Sequence, residues 1–71
     1  MKVASEMTGT VWKICVSEGD SVAEEDTLII LESMKMEIPI ESPEDGTVRQ
    51  IRVKEGDVVQ EGDIVALLEE A

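Results

Sequence analysis

Residues 9–32 read GTVWKICVSEGDSVAEEDTLIILE, and residues 46–69 read GTVRQIRVKEGDVVQEGDIVALLE. The two stretches align at a shift of 37 positions without a gap, and 13 of 24 positions are identical. The identities include Gly9/Gly46, Val11/Val48, Ile14/Ile51, Val16/Val53, Gly19/Gly56, Asp20/Asp57, Val22/Val59, Asp26/Asp63 and Leu31/Leu68. Self-similarity at a fixed spacing marks an internally repeated architecture. Each copy is too short to bury its own apolar face, and a solenoid needs at least three repeats. The expectation is a closed, quasi-two-fold structure in which the halves face each other and pack together.

Both copies are rich in Val and Ile, and Gly-Asp signals punctuate them every eight to ten residues, a strand-and-turn pattern. Glu18-Gly19-Asp20 and Glu55-Gly56-Asp57 are matching turns, and Glu61-Gly62-Asp63 is matched by Glu24-Glu25-Asp26. Thr27–Leu31 and Ile64–Leu68 are unbroken apolar runs, as in strands buried on both faces. Ile14 and Val16 share a face by the two-residue period, while Val11 has the opposite parity. The second copy repeats this with Ile51, Val53 and Val48, so a bulge is expected in each half to bring all three side chains inward. The pattern predicts eight strands, at 2–5, 9–16, 21–23, 27–32, 36–41, 46–53, 58–60 and 64–69.

The 71 residues allow one domain, and residues 1–71 are expected to form it. Six basic against 17 acidic residues give a net charge of −11, which disfavours nucleic acid as a partner. The acidity fits a solvated surface and also steering toward basic partners. With 42% apolar residues and clear strand periodicity, the chain is expected to be folded rather than disordered. Cys15 is the only cysteine, so no internal disulfide can form, and it is expected to be a small buried or half-buried hydrophobe. Residues 1–8 lack the apolar core of a secretory signal, and no apolar run approaches the length of a membrane span. The expected location is the cytoplasm. Histidine and tyrosine are absent, no glycine-rich loop opens a helix, and the carboxylates lack metal-loop spacing. No catalytic or metal-binding residue is therefore expected.

One segment breaks the local rules. Leu31-Glu32-Ser33-Met34-Lys35-Met36-Glu37-Ile38 joins the repeats, and the 37-residue shift sends Lys35 just past Ala71, so this turn has no counterpart within the chain. By the pseudo-symmetry it lies at one end of the molecule, with both termini at the other. A tight strand connection favours pairs such as Asn-Gly or Asp-Gly, and Met-Lys-Met is a poor choice. Departures of this kind concentrate at functional sites, although natural proteins also tolerate poor turns. A solvated lysine is protonated at neutral pH and is not a nucleophile unaided. At a hairpin tip it is well placed as the target of an enzyme that brings its own base.

Glu32-Ser33-Met34-Lys35-Met36 resembles the attachment motif of the biotinyl-domain family, and the resemblance extends over residues 2–69 through the repeated Gly-Thr-Val and Glu-Gly-Asp elements. It implies an all-β fold, a flattened barrel of two four-stranded antiparallel sheets related by a quasi-dyad. It further implies that Lys35 carries biotin in amide linkage, installed by a biotin protein ligase. Met34 and Met36 would be the flanking methionines tied to recognition, and Glu32 matches the family's upstream acid. The implied role is that of a biotin carboxyl carrier without a catalytic site of its own. Such a carrier shuttles carboxylate from a biotin carboxylase to a carboxyltransferase, as in acetyl-CoA carboxylase of fatty acid synthesis.

The chain departs from some family members. The gap-free repeat leaves no room for the inserted thumb of certain bacterial carriers, and no Pro/Ala-rich linker is present, so a stand-alone carrier or an excised domain is expected. A lipoyl carrier has the same resembled fold but commonly flanks its lysine as Asp-Lys-Ala, and a dual biotin and lipoate acceptor is a further alternative. From other classes come an unmodified β-barrel interaction module and an acidic mimic of nucleic acid.

Overall fold

The computed structural model describes all residues, Met1–Ala71. Eight strands run in order: β1 (Lys2–Ala4), β2 (Gly9–Ile14), β3 (Ser21–Val22), β4 (Thr27–Ser33), β5 (Met36–Glu41), β6 (Gly46–Ile51), β7 (Val58–Val59) and β8 (Ile64–Glu70), with no helix. They form two four-stranded antiparallel sheets, ordered β1-β8-β6-β3 and β5-β4-β2-β7. A shift of 37 residues carries one order onto the other. The halves do more than face each other. Each lends strands to the other's sheet: β3 pairs with β6, β7 with β2, and β1 with β8. Neither half can complete a sheet alone.

The apolar core follows the repeat residue by residue. Its twelve buried side chains are six pairs: Val3/Ile40, Val11/Val48, Val22/Val59, Leu28/Val65, Ile29/Ala66 and Leu31/Leu68. Burying a Val, Leu or Ile in this way is worth about 1.5–3 kcal/mol each, which drives the two sheets together. Ile14, Val16, Ile51 and Val53 pack against this core half-buried. The expected bulges are present. Trp12 is the extra residue of β2 between Val11 and Lys13, and Arg49 is its equivalent in β6 between Val48 and Gln50.

Three expectations are corrected. The apolar runs of β4 and β8 are not buried on both faces. A second pair of bulges, at Leu28 against β5 and at Val65 against β1, inverts the parity so that adjacent residues both point inward. Ile30 and Leu67, on the outer faces, stay half-exposed. Strands β2 and β6 stop at Ile14 and Ile51, where the ladder gives way to single bonds from Cys15 N–H to the Leu28 carbonyl and from Arg52 N–H to the Val65 carbonyl, each 2.9 Å. Finally, Cys15 is exposed. It lies between Ile14 and Val16, which both face the core, so alternation turns it outward.

The turns explain the repeated acids. Asp20, Asp26, Asp57 and Asp63 each accept, through the carboxylate, the backbone N–H three residues earlier, at 2.8–2.9 Å. Gly19 and Gly56 both have φ of 95°, a conformation glycine adopts at little cost. Glu18 and Glu55 tie the halves together. The Glu18 carboxylate accepts the Ile51 N–H at 3.0 Å, and that of Glu55 accepts the Ile14 N–H at 3.2 Å. Gly9 and Gly46 serve another need, since a Cβ would lie 3.1 Å from the Glu32 carbonyl oxygen at Gly9 and 2.5 Å from that of Glu69 at Gly46. No buried side-chain polar atom lacks a partner.

Candidate functional site

The β4–β5 hairpin is the longest pairing between neighbouring strands, broken only by the bulge at Leu28 far from its tip. Its ladder runs from Thr27 opposite Glu41 to Ser33 opposite Met36, leaving Met34 and Lys35 as a two-residue loop. Both have positive φ, 52° at Met34 and 65° at Lys35, the signature of a type I′ turn. That turn normally takes Asn-Gly, because a side chain in the left-handed region clashes with its own backbone. Strain of this kind, held in place by the surrounding ladder, clusters at functional sites.

The tip is fully displayed. Met34 is 93% exposed and Met36 63%, although methionine is ordinarily a core-filling residue. Lys35 is exposed and makes no ion pair. Glu32 is exposed on β4, one step below the closing pair, and lies directly opposite Glu37. Like charges so placed are mildly destabilising. Glu37 is an acid that the sequence reading did not single out. Once the loop is set at two residues, counting outward from 34 and 35 pairs it with Glu32.

Paired strands β8 and β1, with the two termini, occupy the place dyad-equivalent to β4 and β5. The Met1 ammonium donates to the Leu68 carbonyl at 2.7 Å there. The lysine hairpin is thus the one connection the repeat does not duplicate. The largest depression, about 680 Å³, lies elsewhere, along the flanks of edge strands β1 and β5, and Lys35 does not line it. The tip is therefore suited to being received by another protein rather than to enclosing a ligand. A primary amine held clear of the barrel, with no protein group competing for it, fits covalent attachment of an acyl cofactor such as biotin.

Residues 1–68 match the model of the biotin/lipoyl family, described as biotin-requiring enzyme, and the chain belongs to that family. Among relatives, it is 53% identical over 38 residues to the biotinylated protein TB7.3 homolog of Mycolicibacterium smegmatis, covering 54% of each chain. It is 50% identical over 40 residues to the biotin/lipoyl attachment protein of Bacillus subtilis, covering 56% of this chain and 55% of that one. These matches span about half the length of the relatives. Among solved structures, the urea carboxylase of Kluyveromyces lactis superimposes with a TM-score of 0.92 at 39% identity over 97% of this chain and 6% of that one. A single-chain, multi-domain long-chain acyl-CoA carboxylase superimposes with a TM-score of 0.94 at 25% identity over 100% of this chain and 7% of that one. The fold is that of a small domain within these large enzymes.

Proposed function

We propose that this protein is a biotin carboxyl carrier, with Lys35 as the attachment residue and Met34, Met36 and Glu32 as its recognition surroundings. The observation that carries the reading is the two-residue tip of the β4–β5 hairpin, where both Met34 and Lys35 take the left-handed conformation. Folding alone favours Asn-Gly there, so the choice of residues points to a requirement imposed by a partner.

The residues act by presentation. The Lys35 Nζ, freed of a proton by a base on a biotin protein ligase, attacks the biotin carboxyl carbon once ATP has activated it as an acyl-adenylate, and the amide forms as AMP leaves. The β4–β5 ladder and the four-stranded sheet behind it fix where that nitrogen stands, which limits the orientational search in each active site it visits. The bound group supplies a ureido nitrogen that carries carboxylate. A biotin carboxylase and a carboxyltransferase are the partners this requires, in a carboxylase of the acetyl-CoA type and in the cytoplasm. Similarity to a domain of two carboxylases supports the reading.

A second reading, acceptance of lipoate as well as biotin, is favoured by the similarity to a protein named biotin/lipoyl attachment protein. One experiment addresses both. The protein is incubated with ATP and either biotin and a biotin protein ligase, or lipoate and a lipoate ligase, and its intact mass is measured. A biotinyl increment that is absent in Lys35→Arg supports the carrier. A lipoyl increment on the same residue adds the dual role, and no increment with a ligase active on a control carrier refutes both.

A further inference from the structure

The internal repeat offers a built-in comparison between the two outer faces of the barrel. On the sheet that carries the hairpin, strand register lays out two rows. Nearest the tip, Glu37, Glu32, Thr10 and Val58 lie side by side across β5, β4, β2 and β7. The next row holds Pro39, Ile30 and Lys13, with the bulge residue Trp12 beside Lys13. On the other sheet the equivalent rows are Glu69, Thr47 and Ser21, then Lys2, Leu67 and Gln50, with Arg49 at the bulge.

Three exchanges run toward apolar residues on the hairpin face, and one, Lys13 against Gln50, runs the other way. The hairpin face has Trp12, Val58 and Pro39 where the opposite face has Arg49, Ser21 and Lys2. Trp12 is 48% exposed and Val58 71%. The barrel does not need them, because the same backbone positions in the other half carry polar residues. The exchange also alters the charge pattern. Arg49 pairs with Glu69 at 3.3 Å, the one ion pair in the structure, whereas Trp12 leaves the equivalent Glu32 unneutralised and facing Glu37. The result is an apolar patch of Trp12, Val58, Pro39 and Ile30 around the single exposed cation Lys13, with Glu32 and Glu37 as an acidic border on the side of the Lys35 hairpin. Its two rows lie about 10 and 16 Å back from Lys35 along β4.

We propose that this face, centred on Trp12 and Val58, is where the biotin ligase docks while the Lys35 tip enters its active centre. The complementary ligase surface is an apolar patch bordered by Lys and Arg. This deepens, and rests on, the reading of Lys35 as the biotin acceptor. The ligase is the occupant because it meets Lys35 before any biotin is attached, so protein contacts alone must select this lysine. A specific interface buries about 800 Å² on each partner, more than the three side chains of the tip can offer. Tryptophan is among the commonest interface anchors, and an acidic border speeds encounter with a basic surface. A second copy of this chain is disfavoured, since it would bring the same acidic border, and a net charge of −11, against itself.

The test borrows residues the fold already tolerates. Trp12→Arg and Val58→Ser are combined, and Arg49→Ala on the opposite face is the control. Circular dichroism melts check that each variant folds as the wild type does. Each is titrated into a biotin protein ligase with biotin and ATP, and uptake is followed by intact mass. The expected result is a KM raised about tenfold or more in the double variant with kcat unchanged, and an unaltered control. Equal KM in wild type and double variant overturns the docking face, as does an equal rise in the control. A wild type that dimerises through this face, becoming monomeric in the double variant by sedimentation, also overturns it and makes a second copy the occupant. A wild type that takes up no biotin instead overturns the acceptor reading on which the proposal stands.

Discussion

Replacing the hairpin tip by Asn-Gly should stabilise the protein and abolish its proposed function together. A non-glycine residue in the left-handed region costs about 1–2 kcal/mol. With Met34 at φ 52° and Lys35 at 65°, the tip holds about 2–4 kcal/mol of strain by that measure. Met34→Asn/Lys35→Gly supplies the residues a type I′ turn prefers. Asparagine keeps part of the cost, and glycine gives the unfolded chain extra freedom worth about 0.5–1 kcal/mol. The net gain expected is about 1–2 kcal/mol, which for a domain of this size raises the melting midpoint by about 5–15 °C. Urea titration and thermal melts followed by far-ultraviolet circular dichroism measure it. Met34→Asn alone should give a smaller gain while leaving the Lys35 amine in place, which separates the stability effect from loss of the acceptor. A double variant no more stable than the wild type refutes the reasoning: the tip would then hold no strain, and a partner's demand would not be needed to explain Met-Lys.

Lys35→Arg should fold and melt as the wild type does yet take up no biotin from a ligase, because guanidinium is not an amide-forming amine under these conditions; an avidin blot with a melting curve checks both. Gly46→Ala should destabilise by about 1–3 kcal/mol, since the new Cβ meets the rigid Glu69 carbonyl, and Gly9→Ala should cost less, its clash being milder; urea titration ranks the two. Leu28→Ala should cost about 2–5 kcal/mol, which approaches the whole stability of so small a domain, whereas the half-buried Val53→Ala should cost less, about 1 kcal/mol. Glu55→Ala removes the acceptor for the Ile14 N–H and should cost about 0.5–1.5 kcal/mol, read in the same titration.

Much of this architecture was legible because the chain states its plan twice. The 37-residue shift predicts which strands are equivalent, and the parity switch at Val11 and Val48 locates the bulges at Trp12 and Arg49. What escaped was information carried by partners distant in sequence. Glu18 and Glu55 stand out as repeated residues, but nothing in their spacing says that each reaches a backbone N–H in the opposite half. Gly9 and Gly46 stand out as a repeated identity, but the reason for glycine there is the close approach of the Glu32 and Glu69 carbonyls, which only the fold reveals. The bulges at Leu28 and Val65 are invisible because an unbroken apolar run shows no parity to invert. Cys15 was misplaced by composition, since cysteine is often buried, although the alternation of Ile14 and Val16 already turned it outward. At the site, the motif singled out Met34, Lys35, Met36 and Glu32. Glu37 and Trp12 emerged only when register and the dyad gave each position a neighbour and an equivalent.

The most direct test of the central claim is the intact mass of the protein purified from its own cells, with fragmentation to locate any added group. The account predicts a biotinyl increment on Lys35 and none elsewhere. An unmodified chain from cells with an active biotin ligase would contradict it, and so would a biotinyl group on any other lysine.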